Sequence, residues 1–279
     1  MSYIMCKTLG RMGRLGNQMF QYALVLGMAR KWNLTPTLPY ANRSTNQFQN
    51  LQLPELFDIS VADCSSITPN HVVREPNNDI GYIPALLESK PPQGNIDLYG
   101  YFQTEKYFKH IEPEIRSTFA FKNKSIHDQA IALVESARRM SPSGKVVSVH
   151  VRRGDYLNHP LSFPFSTQYY ANAMQHITST VGASHFIVAS DDIAWCRSFF
   201  PSLARFGTFS YMEGTSMVED FAMLRHTDHC IVPNSSFSWW GAWLNDSPGK
   251  IVTVPSVWFG PRGPKRHDLY CDGWTIVQS

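Results

Sequence analysis

The second half of the chain alternates short apolar runs with stretches in which apolar residues recur at helical spacing. Such runs predict buried strands, and the stretches between them predict helices. The predicted strands are Val146–Val151, His185–Ser190, His229–Pro233 and Lys250–Pro255, and the predicted helices are Gln168–Val181, Ile193–Phe200, Met217–His226 and Phe237–Leu244. The segment Phe206–Tyr211 is assigned neither state. Strands and helices that alternate with short connections favour an α/β protein with a parallel, doubly wound sheet.

The first half is less regular and begins with a strand at Ile4–Leu9, followed by a helix at Met19–Trp32. Between Ala41 and Pro92 the sequence is rich in Asn, Ser and Pro, which predicts loops. The other predicted elements are strands at Leu34–Tyr40 and Ile96–Phe102, short helices at Leu53–Phe57 and Ile83–Leu87, and helices at Glu105–Ile111 and Ser125–Met140. The turn cluster Ser141–Gly144 then predicts a boundary between two domains, 1–143 and 144–279.

Composition narrows the class of protein. Of the 279 residues, 43% are hydrophobic and 17% are charged, as in an ordinary globular protein large enough for two domains. A net charge of +3 without a basic run argues against nucleic acid as a partner. The cysteines are scattered and odd in number, and no apolar run approaches the ~20 residues of a membrane span. We therefore expect reduced thiols and a cytoplasmic protein.

Polar residues crowd the end of the predicted strand Val146–Val151, where His150, Arg152, Arg153 and Asp155 follow one another closely. Two adjacent arginines that leave a buried strand need anionic partners, because an unpaired buried charge is strongly disfavoured. Two interpretations stay open. Either one arginine pairs with Asp155 and the other faces solvent, or the guanidinium groups clamp a diphosphate in bidentate geometry.

A glycine-rich loop follows the first predicted strand. Gly10, Gly13 and Gly16 predict a flexible loop, and Asn17 takes the place of a helix N-cap. A helix that starts after such a loop is a natural anion site, because its first N–H groups have no partner within the helix. The spacing matches neither GxGxxG nor a P-loop, so an ordinary turn is the simpler alternative.

Three polar clusters follow predicted strands, at residues 150–155, Ser190–Asp192 and Asn234–Ser236. In open α/β sheets, ligands bind beyond the carboxyl ends of the strands. The clusters therefore predict one crevice for a nucleotide or a similar ligand, and two α/β domains would suit a nucleotide-sugar transferase. No DxD triplet occurs in the sequence, so a metal-bridged diphosphate is not supported and no metal site is predicted.

Three motifs resemble those of one enzyme family: HVRRGDY (150–156), GRLGNQMFQYA (13–23) and PNSSFSWWGAWL (233–244). Together they resemble the α-1,2-fucosyltransferases of glycosyltransferase family 11. The HxRR core and the GNQ loop are also similar to those of α-1,6- and protein O-fucosyltransferases. The resemblance implies a GT-B-like fold, with two Rossmann-type domains facing across a cleft. Residues 1–143 would lie on the acceptor side, and 144–279 would bind GDP-fucose.

The reaction that the resemblance implies is transfer of L-fucose from GDP-fucose to the 2-hydroxyl of a terminal β-galactoside. It also implies inversion at the anomeric carbon and no requirement for a metal or another cofactor. For the diphosphate, it implies contact between Arg152 and the β-phosphate, with His150 near the nucleotide. Asn17, next to Gly16 in the GNQ loop, is implied beside the diphosphate and the fucose.

Three further residues are implied in donor binding. Asp220 would accept hydrogen bonds from guanine N1–H and the 2-amino group, and its alternative is a carboxylate that favours a helix dipole. Ser235 and Ser236 would donate hydroxyl or backbone N–H groups to a phosphate, with ordinary helix capping as the alternative.

A general base is harder to assign. Asp155 is the nearest carboxylate to the arginines in sequence, and it is a candidate either for this role or for orienting an arginine. His159, Glu105 and Asp191 are weaker candidates. A strongly dissociative transfer would not require a dedicated base.

The acceptor is predicted to be a galactose-terminated oligosaccharide or a lipid-linked glycan. Assembly of a bacterial surface polysaccharide in the cytoplasm, with peripheral contact at the inner membrane, would suit such a substrate. Two alternatives stay open: a transferase for a different nucleotide sugar, and a non-catalytic glycan-binding protein that uses Trp239, Trp240 and Trp243. For these tryptophans we expect packing against the sheet rather than stacking on a sugar.

Overall fold

The structure, a computed structural model, describes residues 2–42, 50–76, 81–157, 165–261, 263 and 268–279. The chain forms two compact units, Met1–Lys122 with Pro264–Cys271 and Asn123–Gly263 with Asp272–Ser279.

The first unit is built on a parallel sheet. Its strands are β1 (Tyr3–Met5), β2 (Thr35–Leu38), β3 (Ala62–Asp63), β4 (His71–Arg74) and β5 (Ile96–Tyr99), in the order β3-β2-β1-β5-β4. Its helices are α1 (Leu15–Trp32), α2 (Leu53–Leu56), α3 (Ala85–Glu88) and α4 (Glu112–Thr118), with 3-10 turns at Tyr40–Asn42, Glu105–Tyr107 and Lys109–Ile111. Because α1 is buried around most of its circumference, its first turn is held in a fixed position.

The second unit has a six-stranded parallel sheet. Its strands are β6 (Val146–Val151), β7 (Ser184–Ser190), β8 (Gly207–Tyr211), β9 (His229–Ile231), β10 (Val252–Pro255) and β11 (Thr275–Val277), in the order β11-β10-β9-β6-β7-β8. Its helices are α5 (Lys124–Arg139), α6 (Thr167–Val181), α7 (Ile193–Phe199), α8 (Met217–Leu224) and α9 (Ser236–Leu244), with a 3-10 helix at Phe200–Phe206. The strand β6 is buried along its whole length between β7 and β9. The polar clusters that follow these three strands therefore begin at one edge of the sheet.

The predicted domain boundary at 143/144 and the observed division at 122/123 differ by one helix. In α5, Val134 and Ala137 lie one turn apart and are buried in one core cluster with Val146 of β6 and Ile187 of β7. Because this apolar stripe packs against the second sheet, α5 belongs to the second unit although it precedes the turn cluster.

The α/β class with parallel sheets is confirmed. The elements that the pattern missed are short or exposed, namely β3, β4, β8, β11 and α4. In β4, for example, three of the four residues are exposed, so no buried face marks it in the sequence. Two predictions were wrong: α1 begins at Leu15 rather than at Met19, and Glu105–Ile111 forms two 3-10 turns rather than a helix.

The tryptophans of α9 form part of the core. Trp239 and Trp240 are completely buried, and the ring of Trp243 stacks on that of Trp239 with centroids 6.3 Å apart. Packing is therefore confirmed as their role. Rings buried in this way cannot stack on a sugar, which argues against the glycan-binding alternative.

Four cysteines, Cys6, Cys64, Cys196 and Cys230, are buried, and burial raises the pKa of each thiol. A thiol with a raised pKa is a poor nucleophile, because the thiolate is the reactive form. Among the helices that the structure describes, none combines the length and the apolar character that a membrane span requires.

Candidate active site

Arg153 is part of the framework of the second unit. Its Nε donates to Oδ2 of Asp192 at 3.0 Å, and its guanidinium carbon lies 4.2 Å from the ring centroid of Trp195. Asp192 is also the N-cap of α7, where its side chain accepts the N–H of Trp195. The interpretation in which one arginine pairs with Asp155 and the other faces solvent is therefore right about the pair, which Arg152 forms, and wrong about Arg153, whose partner is Asp192.

Arg152 is held between two carboxylates. Its Nη2 donates to Oδ1 of Asp155, and its Nη1 lies 2.8 Å from Oδ2 of Asp191. Asp191 also accepts the backbone N–H of Arg153 through Oδ1, at 2.9 Å, which ties the loop after β6 to the end of β7. A guanidinium group carries five N–H donors, so two carboxylate contacts leave it able to bind a phosphate as well.

Gly154 makes the approach of Asp191 possible. A Cβ atom at this position would lie 2.7 Å from Oδ2 of Asp191, which is closer than such atoms approach in proteins. Any side chain at position 154 would therefore push the carboxylate away from Arg152. The need for glycine here comes from this close approach.

His150 connects β6 to α9. It is 6% exposed, its Nδ1 lies 3.1 Å from Oγ of Ser238, and its ring centroid lies 5.4 Å from that of Phe237. Burial, and to a lesser degree the charge of Arg152, lowers the pKa of His150 to about 3. The imidazole is therefore neutral near pH 7, so it can form hydrogen bonds but brings no charge to an anion.

The start of α9 is suited to bind an anion. Ser235 is the N-cap and Ser236 is the first helical residue, but the side chain of Ser235 makes no capping hydrogen bond. The capping alternative is therefore wrong for Ser235. The first N–H groups of a helix have no acceptor within it, and the helix dipole adds partial positive charge there. The contact between Ser238 and His150 sets this helix end beside the end of β6.

Asp220 lies in the first turn of α8 and is half-buried. Its neighbour Glu219 forms a capping box with Ser216, and hydrogen bonds from Ser216 lower the pKa of Glu219. Asp220 shows the opposite shift: burial raises its pKa from 3.8 to about 6, although the hydroxyl of Thr215 donates to Oδ1 at 2.7 Å. For Asp220, the effect of burial therefore outweighs that of the hydrogen bond from Thr215.

In the first unit, Gly16 and Asn17 are the second and third residues of α1. Asn17 is therefore not the N-cap as predicted. Arg14 holds that position, without a capping hydrogen bond from its side chain. The N–H groups of Gly16 and Asn17 still belong to the first turn of a helix, where no acceptor exists within the helix. An anion site at this helix end is therefore still expected, although the N-cap is Arg14 rather than Asn17.

The glycine-rich loop between β1 and α1 is fixed by buried amide side chains. Nδ2 of Asn42 donates to the carbonyl oxygens of Lys7 and Leu9 at 2.8 and 2.7 Å. Nε2 of Gln21 donates to the carbonyl oxygen of Met12 at 3.3 Å. The prediction of a flexible loop was wrong, because buried donors hold its carbonyl groups in place.

The side chain of Asn17 is fixed from two sides. Nε2 of Gln103 donates to Oδ1 of Asn17. On the other side lies Gly13, whose backbone φ is +85°, and a Cβ atom there would lie 2.4 Å from Nδ2 of Asn17. The amide of Asn17 thus directs its oxygen at Gln103 and has its NH2 group beside Gly13.

The candidates for a general base have other contacts. Asp155 and Asp191 both pair with Arg152, and Oε1 of the buried Glu105 accepts from Nζ of Lys109 at 2.8 Å. His159 lies outside the described residues. Within the described ranges, no group of three or more His, Cys, Asp and Glu side chains is arranged to hold a metal ion.

The structure brings the first two polar clusters of the second unit together, and it places Ser238, two positions after the third cluster, against His150. Arg152 pairs with Asp191, and His150 contacts Ser238. Asp220 lies on α8 of the same unit, whereas Gly16 and Asn17 lie in the first. Asp192 lies in a predicted polar cluster, but its pairing with Arg153 was not predicted. Gln103 was missed, because it carries no signal in the sequence.

Comparison with known proteins identifies the family. The model described as glycosyl transferase family 11 matches residues 3–278. An α-1,2-colitosyltransferase of Escherichia coli is 27% identical over 95% of this chain and 97% of that protein. Galactoside α-(1,2)-fucosyltransferase 2 of Oryctolagus cuniculus is 27% identical over 91% of this chain and 75% of that protein.

Solved structures share the fold. Fucosyltransferase NodZ from Bradyrhizobium has a TM-score of 0.57 at 13% identity, over 89% of this chain and 96% of that one. POFUT1 in complex with GDP-fucose has a TM-score of 0.52 at 17% identity, over 96% and 98%. The GT-B-like fold class with two Rossmann-type domains is thereby confirmed. Because the family match covers nearly the whole chain and the fold agrees with it, the protein is a glycosyltransferase and belongs to glycosyl transferase family 11.

Proposed function

We propose that the protein transfers L-fucose from GDP-fucose to the 2-hydroxyl of a terminal β-galactoside, with inversion at the anomeric carbon. Similarity to galactoside α-(1,2)-fucosyltransferase 2 supports the acceptor, and the fold shared with POFUT1 in complex with GDP-fucose supports the donor. The observation that carries the proposal is Arg152, fixed between Asp155 and Asp191 at the end of the buried strand β6.

Departure of GDP is the step that needs charge stabilisation. Arg152 would contact the β-phosphate, and the first turn of α9, at Ser235 and Ser236, would offer further N–H donors. Donors that are already oriented stabilise the charge that develops on a leaving group, each by about 10²–10³ in rate. The positive charge of Arg152 takes the place that a divalent cation has in other transferases, so we expect activity without a metal. His150, being neutral, holds α9 in position beside this site.

The acceptor hydroxyl would attack the anomeric carbon from the face opposite the diphosphate. The new bond to the galactoside oxygen forms as the bond to the β-phosphate oxygen breaks, through an oxocarbenium-like transition state. The hydroxyl proton passes to a base or to solvent. Asn17 and Gly16, in the first turn of α1, would contact the diphosphate and the fucose.

Base recognition is assigned to Asp220. An ionised carboxylate can accept from N1–H and from the 2-amino group of guanine, and this pair of neighbouring donors is absent from adenine and uracil. Thr215 donates to Oδ1 of Asp220 and so fixes its orientation.

A second donor is favoured by a specific observation, the 27% identity to an α-1,2-colitosyltransferase over 95% of this chain. Colitose is fucose that lacks its 3-hydroxyl group, so a site for one sugar accommodates the other sterically. Discrimination then depends on hydrogen bonds to that hydroxyl. A site that pairs the 3-hydroxyl with a buried polar group would reject the deoxy sugar strongly.

For the cellular setting, we propose a galactose-terminated oligosaccharide or lipid-linked glycan as acceptor, met in the cytoplasm or at the inner membrane. The first unit would contribute the acceptor side, and the second would bind GDP-fucose.

The test is release of GDP, measured with GDP-fucose and with GDP-colitose, with and without lactose, in the presence of EDTA. Release from GDP-fucose that lactose stimulates and EDTA spares supports the proposal, and NMR of the product identifies the linkage and anomeric configuration. Release from GDP-colitose alone transfers the assignment to the second donor. The proposal is wrong if calorimetry detects no binding of GDP and neither donor reacts with any galactoside.

A further inference from the structure

Gln103 follows β5 in the first unit and is 8% exposed. Its Nε2 donates to Oδ1 of Asn17. Its Oε1 is buried and has no hydrogen-bond partner among the residues that the structure describes. A buried amide with an unsatisfied oxygen is unfavourable for the folded state. Stability therefore does not explain why a glutamine lies here, and the contact with Asn17 is what it provides.

This contact decides which end of the Asn17 amide can meet a ligand. A primary amide can offer either its oxygen as an acceptor or its NH2 group as a donor. Because Gln103 engages Oδ1, the NH2 group is the part that Asn17 has for a ligand. Gly13 lets the Asn17 side chain lie close against the backbone, since a Cβ atom at position 13 would lie 2.4 Å from Nδ2.

The orientation matters because Asn17 belongs to the first turn of α1. The backbone N–H groups of this turn are donors, and the helix dipole gives them partial positive charge. With its NH2 group presented, Asn17 adds a donor of the same kind, which suits an anionic ligand. A reversed amide would present a partial negative charge to the same ligand.

We propose that Gln103 is a positioning residue for the sugar-nucleotide donor. It holds the amide of Asn17 with the NH2 group directed at the diphosphate or the sugar, and it does not touch the donor itself. This role rests on the proposed function, because it takes Asn17 to contact the donor.

Two substitutions of similar size test the role. Gln103→Met removes the hydrogen bond and lets the Asn17 amide rotate, so we expect kcat/KM for the donor to fall several-fold. Gln103→Glu replaces a donor by an acceptor, so the amide turns over to donate to the carboxylate. For this variant we expect a fall of at least tenfold, mostly in the KM for the donor, with the KM for the acceptor unchanged. Unchanged donor kinetics in both variants would overturn the role.

A double-mutant cycle separates positioning from folding. If Gln103 acts through Asn17, Gln103→Met has no further effect on kcat/KM in an Asn17→Ala background. The matched control is Gln21→Met, which removes another buried amide, one that donates to Met12 and Gly100 in the same region. In the double variant with Asn17→Ala, the fold-changes in kcat/KM of Gln21→Met and Asn17→Ala should multiply. Multiplicative effects for Gln103→Met as well, or a loss of activity that follows the loss in Tm, would overturn the role.

NMR of the Asn17 side chain needs no turnover, so it tests the role of Gln103 independently of the proposed reaction. With 15N-labelled asparagine, the side-chain NH2 signals of Asn17 are assigned by their loss in Asn17→Ala. We expect these signals to shift when GDP-fucose or GDP-colitose is added, and to shift less in Gln103→Met. An intact response in Gln103→Met would overturn the positioning role even if the wild-type enzyme transfers fucose. Conversely, a weakened response without transfer to any acceptor would support positioning while the proposed reaction fails.

Discussion

The loop between β1 and α1 and the loop after β6 both follow an interior strand of a parallel sheet, but different chemistry holds them. Neutral amides hold the first loop, where Asn42 and Gln21 bind its carbonyl groups and Gln103 binds Asn17. Charges hold the second loop, in which Arg152 and Arg153 pair with the aspartates at positions 155, 191 and 192.

The difference shows how each loop can prepare donors for an anion. Buried amides fix an orientation without adding charge, but every polar atom that they bury needs a partner. Paired aspartates hold a guanidinium group in a fixed orientation in a half-exposed loop, and the spare N–H donors of Arg152 can still meet a phosphate. The first loop therefore depends on burial and shape, and the second on charge.

The largest effect on activity is expected at Arg152, and the adjacent Arg153 should instead affect stability. We expect Arg152→Ala to lower kcat/KM by about 10³-fold, because it removes the charge that we propose stabilises the leaving group. Arg153→Ala should instead lower stability by about 2 kcal/mol, because it removes the ion pair with Asp192 and the stacking on Trp195. Thermal denaturation and steady-state kinetics of both variants provide the comparison.

Arg152→Lys is the matched control, since it keeps a charge but loses the forked geometry that bridges Asp155 and Asp191. Its kcat/KM should lie between those of the wild type and Arg152→Ala. If Arg153→Ala proved the more damaging to kcat at a temperature where it is folded, the two roles would be reversed.

The next effect compares the two glycines that make room for site residues. Gly13 has a φ of +85°, and an added Cβ would lie 2.4 Å from Asn17, so Gly13→Ala combines backbone strain with a steric clash. We expect it to cost on the order of 2 kcal/mol of stability and to disturb Asn17. In Gly154→Ala, only the carboxylate of Asp191 must move. For this variant we expect kcat/KM to fall about tenfold, with little loss of stability. Equal losses of Tm in the two variants would contradict this distinction.

The comparison also explains what could be predicted from the sequence. The loop after β6 was recognisable because charged residues are conspicuous after a buried β-branched run. The partners of Arg152 also lie in predicted polar clusters, Asp155 in the same loop and Asp191 after the next strand. The loop before α1 was misjudged because two of the amides that hold it, those of Asn42 and Gln103, come from distant parts of the chain, and the third, that of Gln21, lies within a helix whose pattern predicts only packing. Neutral amides leave no pattern in a sequence, so the rigidity of this loop, the register of α1 and the role of Gln103 emerge only from the packing.

A smaller effect concerns Asp220, a carboxylate of the second unit whose pKa is raised to about 6 by burial. If the ionised form binds guanine, GDP affinity should fall about tenfold per pH unit as the pH drops below 6. Asp220→Asn should lower GDP affinity by about tenfold at pH 7.5 and should remove this pH dependence. Calorimetric titrations with GDP between pH 5 and 8 measure both, and an unchanged profile in the variant would refute the assignment.

Ionisation of Asp220 should strengthen GDP binding, but it should lower the stability of the folded protein. The pKa of Asp220 is raised from 3.8 to about 6 in the folded state, so its protonated form is the one that folding favours. Its contribution is fully present below about pH 4 and is lost as the pH rises through 6. Asp220→Asn, which is neutral throughout, should therefore raise Tm relative to the wild type at pH 7.5, and the gain should shrink below pH 6. Thr215→Val, which removes the hydrogen bond to Asp220, is the control for local disruption.

The smallest effect is expected for Asp155→Asn. Asp155 accepts from Nη2 of Arg152, and Asp191 holds the same guanidinium from its other nitrogen. An asparagine oxygen can accept the same hydrogen bond, so an orienting role predicts a loss in kcat of less than about tenfold with an unchanged pH profile. A general base in this position would behave differently, because the amide cannot take the acceptor's proton. In that case kcat would fall by about 10²–10⁴ and the acidic limb of the kcat profile would disappear. The pH dependence of kcat in the wild type and Asp155→Asn thus decides whether the charges around Arg152 only hold the donor site or also take part in the chemistry.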